Sequence, residues 1–308
     1  LTFLSVIGNA QIVRKYSNEF LNIGAGARGL AMGGAVISNQ NDVYAPMWNP
    51  AGLTEVESDW QGAAMHAEYF ESIAKYDYIS FAKALDSKDG VLGISIVRLG
   101  VDNILNTTQM IDSEGNIDYD KISKFSTSDY AGIISYAFRP GGNQKLSVGI
   151  NAKIVYRNIG KFANGFGFGF DAGAIYRADS GYQFGAMLRD ATTTVNFWSI
   201  NQKELSAVVN GEEFNPAPKD KMEITMPKLN LGVSKNFEIN RDLELLPEAG
   251  LNVDFAKTAA VISTDFASIS PYLGAELSFQ KMIFVRAGLN RFQTVTDIED
   301  LKRKVSMQ

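Results

Sequence analysis

Hydrophobic and polar residues alternate one by one along most of the chain from Trp60 onward. Successive side chains of a β-strand point to opposite faces, so this period of two predicts strands with one apolar and one polar face. The clearest example spans residues 146–157. Its apolar face holds Leu146, Val148, Ile150, Ala152, Ile154 and Tyr156, and its polar face holds Ser147, Gly149, Asn151, Lys153 and Arg157.

The same alternation predicts eleven strands, and their connections differ in length. The strands span roughly residues 60–70, 74–85, 90–101, 128–139, 144–158, 164–178, 181–190, 222–237, 243–257, 267–280 and 281–293. Connections after even-numbered strands are short, whereas those at 102–127 and 191–221, after odd-numbered strands, are long. Outer-membrane barrels have short periplasmic turns and longer outer loops. The amino end of the strand series is therefore predicted to face the periplasm.

A soluble β-sandwich also alternates, and three further features favour a membrane barrel. Many segments reach ten or more residues, against roughly five or six for a typical soluble strand. Tyr or Phe often ends a segment, where an aromatic girdle would meet the membrane surface. The polar faces carry charges that suit a water-filled interior, namely Lys153, Arg157, Asp171, Arg189, Asp254, Glu276 and Arg286. We therefore predict an all-β fold, a transmembrane antiparallel β-barrel over residues 57–308.

Eleven is an odd count, whereas bacterial single-chain barrels have even numbers of strands. The predicted last strand would also leave residues 294–308 on the outer side. We therefore expect the barrel to be truncated at its carboxy end, with further strands to follow in the intact protein.

Composition removes several classes of function. No run of eighteen apolar residues exists, which excludes a helical membrane span. A net charge of −5 and a pI of 5.1 argue against a nucleic-acid partner. Cysteine is absent and His66 is the only histidine, so thiolate sites, serine triads and histidine-based metal sites are excluded. We expect no catalytic residue, cofactor or metal, and His66 is interpreted as an ordinary wall residue. The acidic run at 112–120 lacks the spacing of a calcium-binding EF-hand loop and is interpreted as a solvated outer loop.

The first ten residues have the features of a secretory signal. An apolar run at residues 1–7 precedes Gly8-Asn9-Ala10, a small-x-small pattern typical of a cleavage site. We interpret 1–10 as a signal-peptide remnant cleaved after Ala10; a buried first strand is the alternative. The signal interpretation implies export from the cytoplasm.

Residues 11–56 do not alternate and form a separate amino-terminal segment, expected inside or under the barrel. Gly24, Gly26 and Gly29 match the G-x-G-x-x-G dinucleotide fingerprint. That fingerprint needs a parallel βαβ unit, whereas an antiparallel barrel pattern follows here, so nucleotide binding is rejected. The small residues are interpreted instead as letting the segment lie close to the barrel wall. Asn49-Pro50 predicts a turn in which the asparagine caps its own backbone.

Two motifs of this segment carry a resemblance to a known family. They are Phe20-Leu21-x-Ile23-Gly24-x-x-Ala27-Arg28-x-Leu30-x-Met32-Gly33-x-Ala35 and Trp48-Asn49-Pro50-Ala51-Gly52-Leu53. The chain thereby resembles the PorV/PorQ group of Bacteroidota outer-membrane proteins, relatives of the FadL-type channels. Gly29 departs from the family, where alanine is more common, and should only loosen the helix locally. The resemblance implies a FadL-like barrel of about fourteen strands, of which this chain would hold about eleven. It also implies a barrel-plug motif that includes Arg28, Met32, Trp48, Asn49 and Pro50.

The resemblance further implies a non-enzymatic component of the type IX secretion system in the cell outer membrane. Such a protein binds the translocon barrel and secreted substrate proteins by their carboxy-terminal signal domains, and passes the substrates to the attachment complex. Phe197, Trp198 and Ile200, in the predicted outer loop, are the expected partner-binding residues; the same aromatics would alternatively anchor the barrel in outer-membrane lipid. Two other functions stay open. One is a FadL-like transporter of hydrophobic small molecules, with an apolar pocket near the amino-terminal segment and a gap in the wall, and the other is a purely structural companion barrel.

Overall fold

The computed structural model of the chain describes residues 17–85, 90–112, 114–209, 212–214, 218, 221–290, 292–296 and 303–306. The predicted signal remnant at 1–10 lies outside these residues. The strands are β1 Trp60–Tyr69, β2 Ala74–Ala84, β3 Val91–Asn106, β4 Ser123–Phe138, β5 Leu146–Ile159, β6 Ala163–Arg177, β7 Tyr182–Arg189, β8 Thr194–Ile200, β9 Ala207–Val209, β10 Glu212–Phe214, β11 Met222–Thr225, β12 Lys228–Lys235, β13 Phe237–Glu238, β14 Leu243–Asp254, β15 Ile262–Ser263, β16 Ser268–Phe279, β17 Ile283–Leu289, β18 Gln293–Thr296 and β19 Arg303–Ser306.

Across the described ranges, one antiparallel sheet contains 15 of these strands. Neighbours from β1 to β7 follow sequence order, and the sheet continues through β12, β14 and β16 to β17. Strands β9 and β10 form a separate hairpin, as do β18 and β19. Meander order of this kind is what short turns between successive strands produce. The predicted all-β, antiparallel architecture is confirmed.

The predicted assignment of faces is also confirmed. Along β5, buried and exposed residues alternate, with Ile150 50% exposed and the neighbouring Asn151 completely buried. Along β6, Phe166, Phe168 and Phe170 point outward, while the residues between them point inward. Isoleucine and phenylalanine thus form an apolar outer surface, and polar groups and glycine face the interior. Among the described residues, no helix has the length and apolar character that a membrane crossing requires.

Strand β8 is absent from the sequence prediction, which placed residues 191–221 in an outer loop. Residues 194–200 pair with the first part of β6, just beyond the residues of β6 that pair with β7. Strands β7 and β8 therefore follow the same edge of β6 in succession. Asp190 and Thr193, both with left-handed backbone (φ 50° and 63°), separate them. The loop assignment was wrong because this short irregularity interrupts the alternation without ending the pairing.

The other boundaries shift for similar local reasons. The predicted strand 222–237 is divided into β11 and β12 at Met226 and Pro227, since proline has no N–H to donate to a ladder. Strands β3 and β4 extend further into the predicted loop 102–127, past a register shift at which Asn103 has φ 59°. These extensions carry the wall further outward than the sequence pattern indicates.

The amino-terminal segment folds into short helical turns against the inner face of the sheet, and residues 17–56 are called the plug below. The plug contains 3-10 helices at Glu19–Asn22 and Pro50–Glu55, and α-helices α1 Ala27–Ala31 and α2 Ala45–Trp48. Outside the plug, 3-10 helices lie at Tyr119–Lys121 and Pro140–Gly142, and α3 spans Gln202–Leu205. The main buried cluster joins plug side chains such as Met32 and Met47 to wall residues such as Tyr76 and Met187.

Candidate functional site

The glycines of the G-x-G-x-x-G run make room for aromatic rings. A Cβ atom on Gly29 would lie 2.5 Å from the Trp48 ring, and one on Gly26 would lie 2.8 Å from the Tyr44 ring. Gly24 also lies against Trp48. The indole Nε1 of Trp48 donates a hydrogen bond to the Ala25 carbonyl oxygen at 2.7 Å. The three glycines that match the nucleotide fingerprint therefore allow aromatic rings to pack inside the plug.

Asn49 caps the helix that follows it and fixes the plug to the wall. Its Oδ1 accepts a hydrogen bond from the backbone N–H of Ala51 at 3.2 Å, which confirms the predicted capping turn. Its Nδ2 donates to the carbonyl oxygens of Ile37, at 2.8 Å, and Ala174 of β6, at 3.1 Å. One buried amide thus connects two parts of the plug to the sheet, and Pro50 packs beside it against Gly173.

Glycines of the wall receive the plug. A Cβ on Gly173 would lie 2.9 Å from Pro50 Cδ, and one on Gly185 would lie 2.5 Å from the Ile37 carbonyl carbon. A Cβ atom would also meet plug backbone at Gly149, Gly274 and Gly288. The outward-facing Gly132, in contrast, has open space around it. The alternation places Gly149 on the inward face, but nothing in the sequence marks these glycines as contacts of the plug.

A buried carboxylate on β14 holds one turn of the plug. Glu248, completely buried, accepts hydrogen bonds from the backbone N–H groups of Ile37, at 2.7 Å, and Ser38, at 3.0 Å. The Ser38 hydroxyl and the Asn39 amide donate to the same carboxylate at 2.5 and 2.7 Å. Glu248 could not be recognised from the sequence. It binds backbone N–H groups, so no residue of opposite charge in the pattern points to it.

Arg28 and Met32 contact the opposite side of the wall. The Arg28 guanidinium lies 3.0 Å from Glu276 of β16, which also pairs with Arg286 of β17 at 2.5 Å. Met32 is completely buried against Gly274 and Gly288. The structure thus brings Arg28, Met32, Trp48, Asn49 and Pro50 onto one plug, each against a different part of its surroundings.

Two inward-facing cations of β5 bind carboxylates. Lys153 lies 2.6 Å from Asp171 and 2.7 Å from Asp190, with its side chain only 4% exposed. Arg157 pairs with Asp129 at 2.9 Å. Arg157 is further along β5 than Lys153, so it reaches the neighbouring strand β4 near the outer end. Each of these two cations therefore has a carboxylate partner on the inner face of the sheet.

Above the plug, a cavity of about 490 Å³ opens at the end of the sheet that carries the longer connections. We call it the outer pocket. Its lining is mainly apolar and includes Ile104, Phe125, Ile159, Phe162, Trp198 and Ile200, with Glu223 among the few polar groups.

Strand β8 divides the predicted partner-binding residues between two surfaces. Trp198 and Ile200 line the outer pocket, whereas Phe197 faces the other way and is 51% exposed. Phe197 pairs across the ladder with Met222 of β11, which is 44% exposed. The structure therefore does not bring Phe197, Trp198 and Ile200 into one site, because neighbours on a strand point to opposite faces.

The first described residues of the plug lie beneath the outer pocket. The Ser17 hydroxyl donates to Glu223 at 3.2 Å, and the Asn18 amide donates to the Thr225 hydroxyl at 3.0 Å. The Arg157 guanidinium carbon lies 5.2 Å from the centre of the Trp198 ring, within cation–π range. Glu223, which lines the pocket, therefore contacts both the plug and the wall.

In the acidic outer loop, Asp112 binds backbone groups of the loop itself. Asp112 accepts hydrogen bonds from the N–H groups of Glu114 and Asn116, both at 2.9 Å. These bonds to Asn116 lower the pKa of Asp112. Within the described part of the chain, no group of three or more acidic or histidine side chains is placed to hold a metal ion. His66 lies on the outward face of β1, 2.6 Å from Asp77.

The chain has likenesses among solved structures. It superposes on the Pseudomonas putida toluene transporter TodX with a TM-score of 0.51 at 14% identity, covering 87% of this chain and 83% of that one. A TodX deltaS2S3 mutant monoaromatic hydrocarbon channel gives 0.54 at 14% identity, with 92% and 88% covered. The Ralstonia pickettii toluene transporter TbuX gives 0.52 at 14% identity, with 87% and 86% covered. No protein-family model and no curated protein sequence matches the chain.

These likenesses establish the fold, which this chain shares with the toluene transporters TodX and TbuX. At 14% identity these likenesses show the fold and do not show the function. The proteins named above are transporters or channels.

Proposed function

We propose that the chain is an outer-membrane, multi-pass β-barrel that captures small hydrophobic molecules at its outer end. The observation that carries this proposal is the outer pocket, an apolar cavity of about 490 Å³ with few polar groups. Small-molecule sites are typically about 300–1,000 Å³ and mostly apolar, with a small number of polar groups that fix orientation. The outward isoleucines and phenylalanines would contact outer-membrane lipid.

Binding of an apolar ligand is favoured because it removes apolar surface of both the ligand and the pocket from water. Burial of apolar surface contributes roughly 25 cal/mol per Å², and Phe125, Phe162 and Trp198 supply large flat surfaces. The toluene transporters and the monoaromatic hydrocarbon channel described above share this fold, which agrees with an apolar ligand. Below the pocket, plug residues pack against the inner face of the wall. Binding is the step that the outer pocket explains directly.

A matched pair on β8 tests the pocket. Ile200→Trp would fill the cavity, whereas Ser199→Trp places the same side chain on the opposite, exposed face. In the full chain reconstituted in amphipol, we expect 1-aminoanthracene to bind the wild type and Ser199→Trp alike, and Ile200→Trp at least about tenfold more weakly. Equal binding by all three proteins would remove the pocket from the function.

A second function is supported by a different observation, the outward surface of β8 and β11. Phe197 and Met222 are both exposed there and directly paired, and exposed aromatics are common centres of protein interfaces. The resemblance of the plug motifs to PorV/PorQ agrees with this second proposal. The chain would then bind a type IX translocon barrel and secreted substrate proteins, and pass substrates to the attachment complex.

Co-purification in mild detergent from a host that has this secretion system tests the second proposal. We expect Phe197→Glu to reduce recovery of the translocon barrel or of a secreted substrate, while Ile200→Trp leaves recovery unchanged. The outward and inward faces of one strand thereby separate the two functions. Recovery that is unaffected by Phe197→Glu would exclude this surface.

A further inference from the structure

We propose that Glu223 makes the outer pocket select against carboxylates, so that its ligands are neutral or amine-bearing amphiphiles and aromatics. This inference rests on the proposed function, because it assumes that the pocket binds hydrophobic molecules. It adds the head-group chemistry of the ligand and the residue that sets it.

Glu223 is the one ionisable residue among the described residues that line the pocket. It lies on β11 with its side chain 18% exposed. Its Oε2 atom accepts a hydrogen bond from the Ser17 hydroxyl at 3.2 Å, and among the described residues its one ion-pair contact is with Arg157, whose Nη1 lies 3.7 Å away. A ligand in the pocket therefore meets a carboxylate at the floor.

The positive charge of Arg157 is already engaged. Its Nε and Nη2 donate to the two carboxylate oxygens of Asp129 at 2.9 and 3.1 Å, a two-pronged pair. The face of the guanidinium lies against Trp198. Arg157 and Asp129 together are neutral, so Glu223 leaves the floor with a net charge of about −1.

One pair of opposite charges lies at the rim of the pocket. Lys161 and Glu204, on the connections above the pocket, pair at 2.8 Å and are neutral together. A ligand carboxylate would lose its hydration in the apolar cavity and face a like charge. A neutral hydroxyl avoids this repulsion, and an ammonium group is attracted by it. The affinity of the pocket for a given alkyl chain therefore depends on the head group that the chain carries.

The test compares dodecanoate, dodecanol and dodecylamine, which share one alkyl chain. Each competes with 1-aminoanthracene for the full chain in amphipol at about pH 8, where the acid is anionic and the amine cationic. We expect dodecanoate to bind the wild type at least about tenfold more weakly than dodecanol, and dodecylamine to bind at least as tightly as dodecanol. In Glu223→Gln the difference between dodecanoate and dodecanol should fall to within about threefold.

Glu244→Gln is the matched control, since it removes the same charge at the opposite end of the sheet, where Glu244 contacts Lys281. It should keep the wild-type order of the three ligands. If dodecanoate and dodecanol bind the wild type equally, or if Glu223→Gln keeps the full difference, the inference is overturned while the proposed function stands. If none of the three ligands displaces the probe from the wild type, the proposed function itself fails. Even if Glu223→Gln does not fold, equal binding of dodecanoate and dodecanol by the wild type would still overturn the inference.

Discussion

The same strands contain two different interiors. Near the short turns, inward positions of β5 and β6 such as Gly149, Asn151 and Gly173 lie directly against the plug without space between them. Nearer the outer end, Arg157 and Ile159 of β5 lie beside an open cavity. Both regions follow one alternation, so the sequence period decides which side chains face inward. Whether those side chains meet protein or empty volume depends on the plug, which is remote in sequence.

The largest effect is expected where the plug is held by a single acceptor. Glu248→Ala would leave the buried N–H groups of Ile37 and Ser38 without their carboxylate. Each unsatisfied buried donor costs roughly 1–3 kcal/mol, so we expect a loss of at least about 3 kcal/mol. Urea unfolding of the full chain in detergent, followed by the mobility of unheated samples on gels, measures it. Glu244→Ala, an acid in contact with Lys281 near the short turns, should leave the midpoint almost unchanged.

Two leucines compare packing directly in the two regions. Leu53 in the plug is completely buried, so Leu53→Ala should cost about 2–5 kcal/mol through lost contacts and a new cavity. Leu205 lines the outer pocket, where space already exists, and Leu205→Ala should cost less than about 1 kcal/mol. The same unfolding measurement applies to both. Equal losses would show that the outer pocket is as tightly packed as the plug region.

The smallest substitution adds one methyl group. Gly149→Ala places a Cβ against Pro50 and Ala51, and overpacking of this kind costs about 1–3 kcal/mol. Gly132 on β4 has open space around it, so Gly132→Ala should change stability by less than about 0.5 kcal/mol. A similar response at both positions would mean that the plug yields to the added group instead of resisting it.

Much of the wall could be predicted from the sequence, because alternation is a local property. The strands from Trp60 to Ala84 and the faces of β5 and β6 agree closely with the pattern. Strand β8 was missed because Asp190–Thr193 form an irregularity that preserves pairing with β6 while interrupting the alternation. Pro227 is visible in the sequence as a strand break. That this break lies beside the irregularity at Asp190–Thr193 becomes clear only from the pairing of β11 with β8.

The candidate site was less predictable, because it depends on contacts between distant residues. The motif around Trp48-Asn49-Pro50 indicated a plug, and Asn49 caps its helix as expected. Its wall partners could not be assigned, since neither Glu248 nor Gly185 differs from an ordinary strand residue in the sequence. The outer pocket forms where the strand ends β3, β4, β5 and β8 converge, and no single segment encodes that volume. Trp198 was singled out for its aromatic character, but its inward direction required the register of β8.

The contacts of the plug also constrain the order in which the protein can form. Ser38 bonds to Ser234 across 196 residues and to Glu248 across 210, and Gly33 accepts a bond from Asn290 across 257. Contacts this distant in sequence slow folding, because long loops must close before they contribute any stabilisation. The plug, which is synthesised before the strands, therefore reaches its final place late, after β12, β14 and the residue that follows β17 have supplied its partners. Assembly must keep the plug residues inside the growing wall until its later strands arrive.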